Sequence, residues 1–187
     1  MKSEIHHSRR AFVLAAAGAA VTAPLIMTRF ARATDARDLQ LASLDAALTE
    51  LNLLTQAGAL DSSAVWTWAQ TLTHCAQSIE YSMAGFPEAR SALFQSTIGA
   101  AAYGVFAWRG RMSHDLVEPI PGAPSLDGVN DGVAAEARLR AAILAFQQWS
   151  GELQPHFAYG ELNKQEYELA HAMHLANHFA QFSVKAA

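Results

Sequence analysis

Leu41, Leu44, Leu48, Leu51 and Leu54 recur at intervals of three and four residues. That spacing stacks apolar side chains on one side of an α-helix, whereas a half-buried strand alternates every second residue. It predicts a first helix from Ala36 to Ala57, ended by Gly58. A second runs from about Ala64 to Met83, with Ser62 or Ser63 as its cap. Val65, Trp68, Leu72, Ala76, Ile79 and Met83 share its apolar face, and Gly85 and Pro87 break it. A third runs from about Glu88 to Arg109, carrying Leu93, Phe94, Ile98, Ala101, Val105 and Trp108. "EPIPGAPSLDGVNDG" follows, too rich in proline and glycine for regular structure. A fourth helix is expected from about Val133 to Leu153, and a last from Lys164 to about Ser183. Asn163 and Glu166, three apart, mark its start as a capping pair. No segment alternates with period two over any length, and no internal repeat stands out. The expected fold is all-α: an antiparallel four-helix bundle with a short extra helix or loop before the last helix.

The first 33 residues read as something else. "SRRAFVL" at Ser8 to Leu14 leads into an Ala-rich apolar run, and "ARA" follows at Ala31 to Ala33. Positive, apolar and small-x-small regions in that order make a secretory signal, and the paired Arg9 and Arg10 make it the twin-arginine type. The alternative is a membrane anchor. The run Ala11 to Met27 is at the bottom of the spanning length and is interrupted by Gly18, Thr22 and Pro24. The expectation is a signal peptide at 1–33, a bundle domain at 34–187 and a periplasmic or otherwise exported product. Without the signal, 154 residues remain, enough for one domain with a real core. They hold 8 basic and 16 acidic residues, a net charge of −8, which argues against nucleic acid and anionic lipid as partners. Cys75 is the sole cysteine, so no internal disulfide is expected. No second apolar run is long enough to span a membrane, and homodimerisation is left open.

Three of the eight histidines fall in "HAMHLANHFAQF", residues 171–182. At 100° per residue His171, His174 and His178 lie within about 60° of one another, on a stripe with Tyr167, Leu175 and Phe182. His174 and His178 are four apart, with Cβ atoms roughly 5–6 Å from each other, so both can reach one metal ion. His171 and His178 are about 10.5 Å apart along the axis, too far to share one. A catalytic ion typically takes three protein ligands and keeps an open position. The remaining candidates are His74, His114 and His156. His74 lies in the middle of the second helix, nearly opposite its Leu72/Ala76/Ile79 stripe, among Thr67, Thr71, Gln77, Ser78 and Tyr81. That face is either solvated or lines a wet cavity, and spacing alone leans slightly to the first. His114 at a helix end reads as exposed. His156 reads as a loop residue, a fourth ligand or a hydrogen-bonding support.

"WTWAQTLTHCAQSIE" resembles the second-helix motif of the DinB-like superfamily, and "HLANHFAQF" resembles its last-helix motif. More narrowly, "PHFAYGELNKQEYELAHAMHLANHFAQF" resembles the family catalogued as domain of unknown function 1569. The likeness covers roughly residues 40 to 185. It implies a four-helix bundle holding a divalent ion, zinc or nickel foremost, through three histidines. Carried over position by position, these are His74, His174 and His178. Some superfamily members are cytosolic and work on low-molecular-weight thiols. This chain carries Phe179 after its last histidine where they carry arginine.

The resulting expectation is an exported metal-dependent transferase or hydrolase acting on a small thiol or other small molecule. The alternative is a non-catalytic metal-binding or structural bundle of the cell envelope. His171 reads as core or as support for the ligands, Gln181 and Tyr167 as groups that orient them, and Tyr159 with Gly160 as a pocket rim or turn. Cys75 reads as a small buried residue, and Trp66, Trp68, Trp108 and Trp149 as core and pocket wall. Glu80 and Glu166 are carboxylates that could act as bases. The segment Pro119 to Pro124 is either a pocket cover or a stiff connector.

Overall fold

A computed structural model describes residues 36–185, and the expected signal peptide and its cleavage site lie outside them. The described chain is mostly helical, with one two-stranded sheet. The order is α1 (Leu44–Thr55), β1 (Leu60–Ser62), α2 (Trp68–Ala84), α3 (Ala92–Phe94), a π-helical turn (Gln95–Gly99), α4 (Ala100–Arg109), α5 (Gly132–Gln148), α6 (Lys164–Phe179) and β2 (Phe182–Val184). Among the described residues no helix is long and apolar enough to cross a membrane.

Capping chemistry sets the boundaries. α1 starts eight residues later than expected, because the Ser43 hydroxyl accepts from Ala46 N–H and opens the helix there. The preceding segment is instead tied to the end of α6: Arg37 N–H donates to Ala180 O, and its guanidinium donates to Phe179 O and Glu50. α2 is capped by Thr67 rather than Ser62 or Ser63, in a full capping box with Gln70. Residues 60–62 pair antiparallel with 182–184, Asp61 opposite Ser183. This pairing also ends α6 at Phe179, short of Ser183. α5 ends at Gln148, where Lys164 Nζ takes the carbonyls of Gln147 and Trp149. α6 starts where expected, with Asn163 and Glu166 exchanging both capping bonds.

The core is one cluster of side chains from α1, α2, α5 and α6, with Leu44, Leu51, Leu72, Leu139, Ile143 and Phe179 fully buried in it. α2 lies along α5 and also touches α6, and α6 packs against α1. α2 is therefore buried on nearly every side, including the polar face carrying Thr71, His74, Gln77 and Ser78. A helix enclosed in this way places polar groups inside the protein, where each needs a partner. The apolar stripe expected to face inward from the third helix does the opposite. Leu93, Ile98, Val105 and Trp108 are exposed, Trp108 at 86%. Val65 is also exposed, since it precedes the helix it was expected to join.

No extra helix precedes α6; a tight loop, His156–Gly160, takes its place, closed by reciprocal backbone bonds between those two residues. Gly160 has φ +77°, a conformation suited to glycine. Gln95, in the π-helical turn, donates to the carbonyls of His156 and Phe157. Gly99 in the same turn lies so close to the loop that a Cβ there would collide with the Ala158 carbonyl. Gly99→Ala is expected to cost about 1–3 kcal/mol of stability. Gly104→Ala, on the same helical stretch with open space beside it, is expected to add about 0.5–1 kcal/mol. Urea unfolding of both variants measures this, and effects of the same sign would contradict the close approach at Gly99.

Candidate metal centre

His74 comes from the middle of α2, and His174 and His178 from successive turns of α6. The contact between the two helices brings the three side chains together. Each offers a ligand atom, and these atoms lie within 4.8 Å of one another. The ring centroids are 5.0 Å (His74–His174), 4.8 Å (His74–His178) and 4.7 Å (His174–His178) apart. All three are buried, so the polar face of α2 is an interior face and not the solvated one that spacing favoured.

The nitrogen inventory is consistent with a cation. His74 Nε2 and His174 Nε2 lie 3.2 Å apart. A tetrahedral ion with metal–nitrogen bonds of about 2.0–2.1 Å has ligand nitrogens about 3.3–3.4 Å apart. Neither nitrogen of His178 has a hydrogen-bond partner among the described residues, though both are buried. A buried polar atom left unpaired costs about 1–3 kcal/mol. Burial pushes His74 down to about 3, helped by the nearby His114, and holds His174 and His178 well below the ordinary imidazole range. All three are thus neutral at pH 7, the form a metal requires. Three buried histidines close together could hold a metal ion. Trp66 closes one side, stacked on His178 at 5.8 Å and tilted against His74 at 4.8 Å.

His74 and His174 also line a cavity of about 220 Å³. Its other walls include Phe94, Met112, Ile120, Phe157, His156 and His171. Pro119 and Pro121 contribute as well, so the proline-rich segment is part of the cavity wall. His114, His156 and His171 stand outside the three-histidine group. His156 Nδ1 accepts from the N–H groups of Ala158 and Tyr159, which places its proton on Nε2. Its ring stacks on Tyr159 at 4.2 Å. Ser82 Oγ donates to Ile79 O, so it accepts from His171 Nε2–H at 3.2 Å and leaves a lone pair on His171 Nδ1.

Other candidates are occupied elsewhere. Tyr167 donates its hydroxyl to Gln154 O at 2.6 Å and orients no histidine of the group through it. The backbone carbonyl of Gln181 accepts from Ser63, and no hydrogen bond joins its side chain to a histidine of the group among the described residues. Glu80 pairs with Arg138, and Glu166 caps α6. Cys75 is fully buried and its thiol is pushed up by that burial, so it is no ready nucleophile. Trp68 packs on Phe179 and Phe182, whereas Trp108 belongs to neither core nor cavity wall. His114 is not the exposed helix-end residue its position suggested. It lines the cavity, with its ring 5.1 Å from that of His174 and 5.2 Å from that of His178. The only signal available in sequence was a histidine beside a breaker-rich loop, and that says nothing about where the loop folds.

Burial holds His156 and His171 to about 3, with repulsion from His171 and His114 added at His156. The unfolded chain takes up their protons near pH 6.5 and the folded chain only near 3. Their contribution to stability is therefore complete above pH 6.5 and lost as pH falls from 6.5 towards 3, at up to about 1.4 kcal/mol per pH unit for each. Denaturant unfolding across that range, with chelator present, should show the decline, and His171→Phe should reduce its slope. A slope unchanged in that variant would contradict the assignment.

The family described as protein of unknown function (DUF1569) matches residues 33–185. None of the curated proteins matches the chain, and none of the solved structures does.

Proposed function

The chain belongs to the DUF1569 family, and on that premise we propose that it is an exported, metal-dependent protein that acts on a small molecule in the cavity beside its histidine cluster. Its architecture in this reading is the DinB-like four-helix bundle, and its ligands are His74, His174 and His178. The observation that carries the reading is the grouping of three buried histidines whose ligand atoms lie within 4.8 Å of one another, His178 having no hydrogen-bond partner among the described residues. Zinc and nickel both suit an all-imidazole set. Such an ion, held by neutral ligands, keeps its full positive charge and acts as a Lewis acid on a polar group beside it.

The surrounding side chains do the rest. At about 220 Å³ the cavity is smaller than pockets for drug-sized ligands, so it selects small substrates. Phe94, Met112, Ile120 and Phe157 make much of its wall apolar. His156 offers an N–H and His171 a lone pair, one to give and one to receive a hydrogen bond. These features favour a transferase or hydrolase over a carrier, which needs no cavity beside its ion. The paired Arg9 and Arg10 and the small-x-small site at residues 31–33 support export. A net charge of −8 without the signal supports a small-molecule partner in preference to nucleic acid or membrane.

Stripping the untagged protein with chelator is expected to lower its melting temperature, and adding zinc or nickel to restore it. At an ion concentration 100-fold above Kd the gain is about 2.7 kcal/mol. His174→Ala and His178→Ala should abolish the response. A melting temperature that ignores both chelator and metal would sink the reading.

A further inference from the structure

We propose that His114 is a fourth imidazole ligand, carried to the ion by the loop between α4 and α5. This rests on the metal reading above and extends it to the position that the three helical histidines leave vacant.

Three observations converge on His114. Its ring lies 5.1 and 5.2 Å from those of His174 and His178, close to the 4.7–5.0 Å that separate the three helical histidines from each other. Its Nδ1 is 2.8 Å from the backbone carbonyl of Asp115. A carbonyl only accepts, so Nδ1 carries the proton and donates, and Nε2 keeps its lone pair. That Nε2 is buried and has no hydrogen-bond partner among the described residues. A histidine that donates one ring N–H to a backbone carbonyl and leaves the other nitrogen free is oriented as metal ligands usually are.

The loop holds this arrangement without the rigidity of a helix. Met112 and Ile120 are buried on either side of His114 and anchor the segment, and Tyr159 O–H reaches Met112 Sδ. Between the anchors the chain is irregular. Three ligands thus stand on packed helices and the fourth on a loop that is also cavity wall. His114 is the ligand that a metal-binding group entering the cavity would displace.

The test uses cobalt(II) in the full chain without its signal, because its visible absorption reads ligand type and number. Wild type and His114→Ala should each take up one cobalt per chain. The variant should show a changed band pattern and a Kd raised by about tenfold or more, and added imidazole should return the wild-type spectrum. X-ray absorption of the wild-type zinc form, which needs no variant, should count four imidazoles. An unchanged spectrum and Kd in His114→Ala, or a count of three imidazoles, overturns the proposal and leaves the three-histidine site standing. Failure of wild type to bind cobalt or zinc overturns both.

Discussion

Helix α2 has almost no surface to give to water. It lies along α5 on one side and meets α6 on another, so a helix with two chemically different faces is buried on both. The Leu72/Ala76/Ile79 face joins the apolar core, where burial alone is favourable. The face with Thr71, His74, Gln77 and Ser78 cannot be buried so cheaply. Gln77 finds the Pro124 carbonyl, but the hydrogen-bond partner of His74 is another imidazole, His174, and its Nδ1 has none among the described residues. Against it α6 presents His174, which shares that contact, and His178, neither of whose nitrogens has a partner among the described residues. Several nitrogen atoms are thus enclosed with nothing to bond to, in a fold that satisfies its helix ends and loops in detail. A cation could take one lone pair from each of His74, His174 and His178, which are close enough together to hold one.

The cavity depends on the same helical contact and on one further device. The π-helical turn before α4 sets Gln95 against the His156–Gly160 loop and lets Gly99 approach the loop backbone. Turns of this kind recur at functional sites because the extra residue redirects side chains. Here it fixes a loop whose histidine has its Nδ1 committed to two backbone N–H groups. The wall of the cavity is therefore as well determined as its histidine floor, although it is built from irregular chain.

Much of this was legible in the sequence, and the failures have physical causes. The start of α6 was readable because its capping pair is local chemistry, complete within four residues. Grouping His174 with His178 was readable from helical period. The start of α2 was misread because Ser62, Ser63 and Thr67 are all competent caps, and only the pairing of residues 60–62 with the end of the chain removes the first two from contention. Three-residue strands are too short to leave a period. Periodicity also cannot say which face of a helix is covered. It leaned towards solvent for His74, which is buried, and inward for Leu93, Ile98 and Trp108, which are exposed. The position of His114 beside the cluster depends on a loop path that no local pattern encodes, so its reading as an exposed residue had to fail. The joining of His74 to the α6 pair came from family resemblance, not from spacing.

The most direct test is crystallography of the untagged protein with diffraction collected on either side of the zinc and nickel absorption edges. The account predicts a single anomalous peak about 2.0–2.1 Å from ring nitrogens of His74, His174 and His178. Crystals soaked in both ions that show no peak among those three side chains would contradict it, and the buried histidines would then stand as structure alone.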